Sequence, residues 1–247
     1  GWDGVFISDS IGGPELIADP WVSLSAVAMR TQSIRIGTTV TPLPRRRPWK
    51  VARETVTLDH LSNGRLVLGV GIGSPAFGEY ERFGEEGDPK VRGKKLDEAL
   101  DVINGLWTGK SFSYSGDYYN LHETVFKPPA VQIPRIPIWV GGEWPNMAPF
   151  RRASIWDGVY PIRADETLLT PDNLKSILDC VAQHRKSDSP IDVIVQMGVV
   201  GDEKSHQTDL VSRYEELGLT WAIFTVRPEN RPFKESVSRV RIGPPRV

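Results

Sequence analysis

The chain has 247 residues, 39% of them hydrophobic and 25% charged, with a formal net charge of −1. That length suits one large domain, and the composition is ordinary for a globular protein. The near-neutral balance gives no bulk attraction to nucleic acid or anionic membranes, and no apolar run reaches the length of a membrane span.

In chain order, short apolar runs of strand character alternate with segments of helical period. A first strand is expected over Val5–Asp9, then a helix opened by Asp19-Pro20, an N-cap residue followed by a first-turn proline. A second strand covers Ile34–Thr41, and the next helix presents Val51, Ala52, Thr55, Leu58 and Leu61 on one face. The third strand is Arg65–Gly71. A long stretch of about 74–135 follows, holding an acidic segment, a helix near Arg92–Trp107, a turn at Ser115-Gly116-Asp117 and a proline-rich approach. It reads as an insertion.

Further strands are expected at Ile136–Gly141, Gly158–Ile162, Val193–Val200 and Trp221–Val226. Between them, Thr170-Pro171 opens a helix whose apolar face is Leu174, Ile177, Leu178 and Val181. Another helix uses Leu210, Val211, Tyr214 and Leu217 and ends at Gly218. Most strand runs are continuously hydrophobic, as strands covered on both faces are. The order is β-α-β-α throughout, which implies a parallel sheet or barrel in a single domain over 1–247. The one cysteine, Cys180, cannot close an internal disulfide; it fits packing in an apolar stretch and a cytoplasmic location.

Gly71-x-Gly73-x-x-Ala76 satisfies a loose dinucleotide-binding pattern. That motif needs a helix to start at the glycines, so that its N-terminus faces a pyrophosphate. Here Pro75, Gly78 and the acidic run from Glu79 follow, so the glycines read instead as a strand end that lets a flat ring approach the backbone.

The segments "GWDGVFISDS", "IRIGTTVTPLPRRRPWKVARETVTLDHLSNGRLVLGVGIG", "LDEALDVINGLWTG" and "PIWVGGEWPNMAPFRRASIWDGVYPI" occur in this order and resemble the bacterial luciferase-like family of flavin-dependent oxidoreductases. The resemblance runs from Gly1 to about Ile162. It implies an α/β fold of the (β/α)8 TIM-type barrel class with the insertion after the fourth family strand. "GWDGVF" then corresponds to the end of the family's first helix and its second strand, so this chain is expected to lack the first strand and helix. The implied cofactor is reduced FMN or coenzyme F420 at the C-terminal strand ends, where barrel sites lie.

Several residues become candidates on that basis. Asp9 could accept a hydrogen bond from flavin or substrate, the only candidate for a catalytic role. Ser10 follows it where the family often has histidine, which removes an imidazole acid or base from that place. None of His60, His122, His184 and His206 compensates. Thr38, Thr39 and Val40 match a stretch that lines the flavin, with Thr39-Val40 the expected pair for a non-prolyl cis peptide. Gly71, Ile72 and Gly73 would lie beside the ring, so that a leucine at Gly73 is expected to block the ring and spare the fold. Gly141 and Gly142 would face the phosphate, with Pro145 opening the next helix. Arg45-Arg46-Arg47 could bind an anion or remain solvated, and Glu79, Glu81, Glu85 and Glu86 read as a solvated loop. Trp49, Trp144 and Tyr160 could wall a pocket or simply pack.

The implied activity is monooxygenation of a small organic substrate with reduced FMN and dioxygen, served by a partner flavin reductase, in a homodimer. F420-dependent hydride transfer is the alternative, and a non-catalytic flavin-binding relative is the third reading. No metal-ligand cluster, nucleophile triad, nucleic-acid patch or membrane partner is expected.

Overall fold

The structure, a computed structural model, describes residues 1–12, 18–75, 78–163, 165, 167–199, 204–226 and 232–244, with backbone alone for 199 and 204–208. They form two compact units: residues 3–138, and residues 1–2 with 139–247.

The first unit contains β1 (Gly4–Ile7), α1 (Pro20–Arg30), β2 (Arg35–Thr38), β3 (Thr41–Pro42), α2 (Pro48–Leu61), β4 (Leu66–Gly71), α3 (Pro89–Trp107), β5 (Ser111–Ser115) and β6 (Asn120–Val125). β1 runs parallel to β2 with Gly4 opposite Arg35, and β2 parallel to β4 with Ile36 opposite Leu66. The two-residue β3 extends the pairing, Thr41 lying opposite Val70. β4 is buried at every position, as its continuous apolar sequence requires of a strand covered on both faces.

The helices start where local chemistry dictates. Asp19 accepts from the Val22 amide at 2.9 Å and caps α1. Asp88 caps α3 by accepting from Lys90, so this helix begins at Pro89, earlier than the expected Arg92. On α2, Val51, Ala52, Thr55 and Leu58 are buried as expected, but Leu61 is 42% exposed. The last turn directs Asp59 inward instead. α2 and α3 meet where the Trp107 indole donates to Thr55 Oγ1 at 2.9 Å. Leu96, Leu100 and Ile103 of α3 and Leu66 and Leu68 of β4 are fully buried or nearly so. Each such side chain contributes about 1.5–3 kcal/mol on leaving water.

Within the expected insertion, β5 and β6 pair antiparallel around the Ser115-Gly116-Asp117 turn. Their polar, half-exposed sequences carry little strand signal, so only the turn was legible. Glu98 of α3 holds that turn by accepting from the Asp117, Tyr118 and Tyr119 amides at 2.8–3.0 Å.

The run from Leu58 to Arg65 is a fastening device. Asp59, fully buried, accepts from the Val131 and Gln132 amides and from Gln132 Nε2. Arg65 donates through Nε to Ser62 O, through Nη1 to Thr31 Oγ1 and Ile34 O, and through Nη2 to Ala28 O and Thr31 O. All five of its N–H groups are therefore engaged, several on carbonyls at the end of α1.

The second unit contains β7 (Ile138–Trp144), α4 (Ala148–Ala153), β8 (Gly158–Arg163), α5 (Pro171–His184), β9 (Asp192–Val199), α6 (Lys204–Glu215), β10 (Trp221–Thr225) and α7 (Phe233–Ile242). β7, β8, β9 and β10 pair in succession and in parallel, with Trp139 opposite Gly158, Gly158 opposite Asp192 and Trp221 opposite Ile194. Thr170 and Asn173 form a full capping box at the start of α5. Leu174, Ile177, Cys180 and Val181 are the buried face of that helix, which gives Cys180 its packing role. Trp2 belongs here: its ring packs edge-on against Phe224, and its indole donates to Val240 O at 2.8 Å. α7 adds to the helices expected from sequence, and Val200 lies outside the described residues.

Candidate functional site

In the first unit, the C-terminal ends of β1, β2 and β4 lead into the segments singled out above. The Asp9 amide donates to Val40 O at 3.3 Å, and the Thr39 amide to Ile7 O at 3.1 Å, which knits two of these ends together. The Thr39–Val40 peptide is cis, at the pair the resemblance implied. Thr38 is fully buried, and its hydroxyl donates to Gly69 O at 2.8 Å while accepting from Thr41 Oγ1. That side chain is thus occupied within the protein. Thr39 and Val40 are half-buried, and the Thr39 carbonyl accepts from Ser8 Oγ at 3.1 Å.

Gly71 is buried opposite Pro42, while Ile72 and Gly73 are half-buried. The Tyr80 hydroxyl donates to Ile72 O at 2.5 Å. Arg92 stacks 4.2 Å over the Tyr80 ring and reaches Ile72 O and Gly73 O at 3.4 and 3.3 Å. Burial raises the Tyr80 phenol above its ordinary pKa, partly offset by Arg92, so it remains a donor. Gly73 has φ +75°, and a Cβ there would stand 2.5 Å from the Tyr80 hydroxyl and 3.0 Å from Pro42 Cβ. The expectation that a leucine at Gly73 would spare the fold is therefore corrected: positive φ and Tyr80 both oppose any side chain. A loop and the short 3₁₀ turn Glu81–Phe83 come before α3, so no described helix starts at the glycines; Ala76 lies outside the described residues.

The largest departure from the sequence reading concerns charge. Arg45 has a side chain only 3% exposed; it pairs with Glu79 Oε2 at 2.5 Å and with Asp9 Oδ1 at 3.3 Å, and also donates to Asp9 O. Arg46 reaches the same Asp9 Oδ1 at 2.5 Å. Glu79, expected in a solvated loop, is 5% exposed, and its Oε1 accepts from the Ile11 and Gly12 amides at 2.8 and 3.2 Å. A buried carboxylate is tolerated because charged and backbone donors surround it. Arg47 is exposed, near the Trp49 ring. Among the described residues, nothing donates to Asp9 Oδ2, although Asp9 is 2% exposed. Arg46 Nε and Arg92 Nε are likewise buried without a partner.

In the second unit, Gly141 lies opposite Tyr160 and Gly142 opposite Pro161. The strand does not turn at these glycines. It runs on to Trp144, the Trp144–Pro145 bond is cis, and α4 starts only at Ala148, with Pro149 rather than Pro145 in its first turn. A Cβ on Gly142 would lie 2.2 Å from Pro149 Cβ, so packing alone requires glycine there. Nearby, Tyr160 OH lies 3.5 Å from Gln196 Oε1, and Gln196 Nε2 donates to Thr225 Oγ1 at 3.2 Å. Burial pushes the Tyr160 phenol up to about 12.

The histidines take structural or exposed places. His60 Nε2 meets Pro129 O and His184 Nδ1 meets Cys180 O, both at 2.8 Å; His122 is exposed, and the side chain of His206 lies outside the described residues. Among the described residues, no three His, Cys, Asp or Glu side chains converge as a metal site, and no helix is long and apolar enough to cross a membrane.

Each unit alternates parallel strands with helices, and in the first unit Asp9 lies at a strand end with one carboxylate oxygen that has no donor among the described residues. The profile of the luciferase-like monooxygenases matches residues 1–209, and the chain belongs to that family. An F420-dependent glucose-6-phosphate dehydrogenase of Nakamurella multipartita is 32% identical over 241 residues, covering 94% of this chain and 67% of the relative. The oxygenase component of a flavin-dependent trigonelline monooxygenase of Acinetobacter baylyi is 33% identical over 132 residues, covering 53% of this chain and 36% of the relative. The chain thus spans from about a third to about two-thirds of the length of these two relatives. An F420-dependent secondary alcohol dehydrogenase, solved with an F420–acetone adduct, superposes with TM-score 0.75 at 19% identity, covering 98% of this chain and 91% of the other. That likeness shows the α/β fold of the TIM-barrel class.

Proposed function

We propose that this protein is an oxidoreductase that binds a flavin or deazaflavin ring at the β1, β2 and β4 strand ends of its first unit and acts on a small organic substrate. The observation that carries the proposal is the buried Asp9 Oδ2, which has no donor among the described residues. A buried polar atom left unpaired costs about 1–3 kcal/mol, so an acceptor kept in this state suits a ligand N–H or O–H. The residues fit a flat ring. Thr39, Val40, Ile72 and Gly73 are half-buried residues at these strand ends, and Tyr80 with Arg92 holds the Ile72–Gly73 edge in place.

When bound in its reduced state, the ring supplies the electrons for oxygenation or hydride transfer. Asp9 fixes the orientation of the ring or the substrate by accepting a hydrogen bond. Ser10 provides no imidazole at that place, which leaves Asp9 as the candidate for a catalytic role there. Thr38 contributes through the backbone it braces. For Gly141 and Gly142, a phosphate role rests on the family resemblance alone.

The first reading is a monooxygenase using reduced FMN and dioxygen. It brings with it a partner flavin reductase, in keeping with the word "component" in the name of the trigonelline relative. The second reading is F420-dependent hydride transfer, favoured by the extent of the match to the F420-dependent dehydrogenase. A cytoplasmic homodimer stays with either. Separate titrations with FMN and F420, followed by fluorescence quenching, distinguish the two. Binding of neither would overturn the proposal.

A further inference from the structure

We propose that Arg45 and Glu79 are positioning residues, which together lock the segment Asp9–Gly12 so that Asp9 presents one unshared carboxylate oxygen to a ligand. This rests on the strand-end reading above and names residues that composition and spacing left as a solvated loop or an anion site.

The lock has a definite order of parts. Glu79 uses its two oxygens differently: Oε1 takes the Ile11 and Gly12 amides, and Oε2 takes Arg45. Arg45 then spans from Glu79 to Asp9, with Nη1 on the first carboxylate and Nη2 on the carbonyl and Oδ1 of the second. Arg46 adds a second guanidinium to the same Oδ1. Two guanidinium groups on one oxygen fix the carboxylate plane, and the planar fork of arginine makes that fixation directional. Oδ2 is left buried and, among the described residues, without a donor. Nothing in this arrangement leaves Asp9 free to rotate and satisfy Oδ2 internally without breaking an ion pair. Arg45 and Glu79 therefore act on a ligand through Asp9, and neither is assigned a contact of its own.

The test is a double-mutant cycle on the full chain, read by FMN and F420 titration and by amide hydrogen exchange. Glu79→Ala is expected to weaken binding of whichever flavin the wild type takes by about tenfold, and by less than about twofold when made on top of Asp9→Ala. Glu79→Gln keeps an acceptor for the two amides and is expected to recover part of the loss; it also serves if Glu79→Ala folds poorly. Exchange at the Ile11 and Gly12 amides is expected to rise about tenfold in Glu79→Ala, with helices α2 and α5 unchanged. An equal loss of affinity with and without Asp9 would show a merely structural Glu79 and overturn the proposal, as would unchanged exchange at Ile11 and Gly12. The exchange readout needs no cofactor. A wild type that binds neither flavin would count against the proposed function, and the exchange result would still decide whether Glu79 locks the segment.

Discussion

Two polar clusters in the first unit, one at each end of its strands, differ in one respect that bears on function. Where the strands begin, Asp59 and Arg65 are buried and saturated: three donors meet Asp59, and all five N–H groups of Arg65 find acceptors. Where the strands end, Asp9 and Arg92 are equally buried, yet Asp9 Oδ2 and Arg92 Nε have no partner among the described residues. Burial of charge is common to both; satisfaction is not. A saturated network stabilises and leaves nothing to offer a ligand, whereas an unsaturated one bears a cost in the free protein that a ligand can relieve. The difference agrees with the general division of parallel α/β barrels, in which the strand starts serve stability and the strand ends serve chemistry.

That contrast can be broken most readily at Arg65. Arg65→Met removes the donor from five acceptors and should cost about 3 kcal/mol or more in urea unfolding, while flavin affinity per folded molecule stays within about twofold. A large loss of affinity in a still-folded variant would erase the distinction between the two clusters.

The second unit supplies a neutral counterpart in Tyr160, whose phenol burial pushes up to about 12. The unfolded chain loses this proton near its ordinary value of about 10 while the folded one retains it, so stability is intact below about pH 10 and falls as pH rises toward about 12. Tyr160→Phe should remove up to about 3 kcal/mol of this alkaline loss, the remainder belonging to the other raised phenols such as Tyr119, as measured by urea unfolding at a series of alkaline pH values.

Gly73→Ala should cost about 2 kcal/mol, from its φ of +75° and the Tyr80 hydroxyl 2.5 Å from the new Cβ. The cost should shrink when Tyr80→Phe is added. An equal cost in both backgrounds would show that the Tyr80 hydroxyl is not what dictates the glycine.

The smallest effect is expected at Lys175, whose side chain is 66% exposed in its pair with Asp179, itself 60% exposed. Lys175→Ala should change stability by less than about 0.5 kcal/mol in thermal unfolding. A larger change would mean that counting ion pairs, rather than asking which are buried, measures their importance.

The sequence made the local features legible. Asp19, Thr170 and the prolines after them set helix starts that depend on residues a few positions away, and the continuous apolar run of β4 announced a doubly covered strand. The β-α alternation implies a parallel sheet or barrel, and the family resemblance narrows it to the barrel class. The ionic lock was illegible because its partners are distant: Glu79 meets Arg45 across 34 positions and Ile11 across 68. In isolation, a glutamate in an acidic loop and three consecutive arginines look solvated. β5 and β6 escaped notice because their residues alternate between half-buried and exposed without a strong apolar signal. Pro145 misled, since a proline after a glycine pair suits a helix start equally well as the cis bond it adopts. The resemblance groups Thr38, Thr39 and Val40 together, and only packing shows that the Thr38 hydroxyl is already occupied within the protein.

A crystal structure of the chain soaked with whichever of FMN or F420 it binds tests the central claim most directly. The ring should lie against the Thr39–Val40 peptide and the Ile72–Gly73 edge, with an N–H or O–H of the ligand on Asp9 Oδ2 and the Arg45–Glu79 pair unbroken. A ring bound away from these strand ends, or one that leaves Asp9 Oδ2 without a donor, would contradict the account.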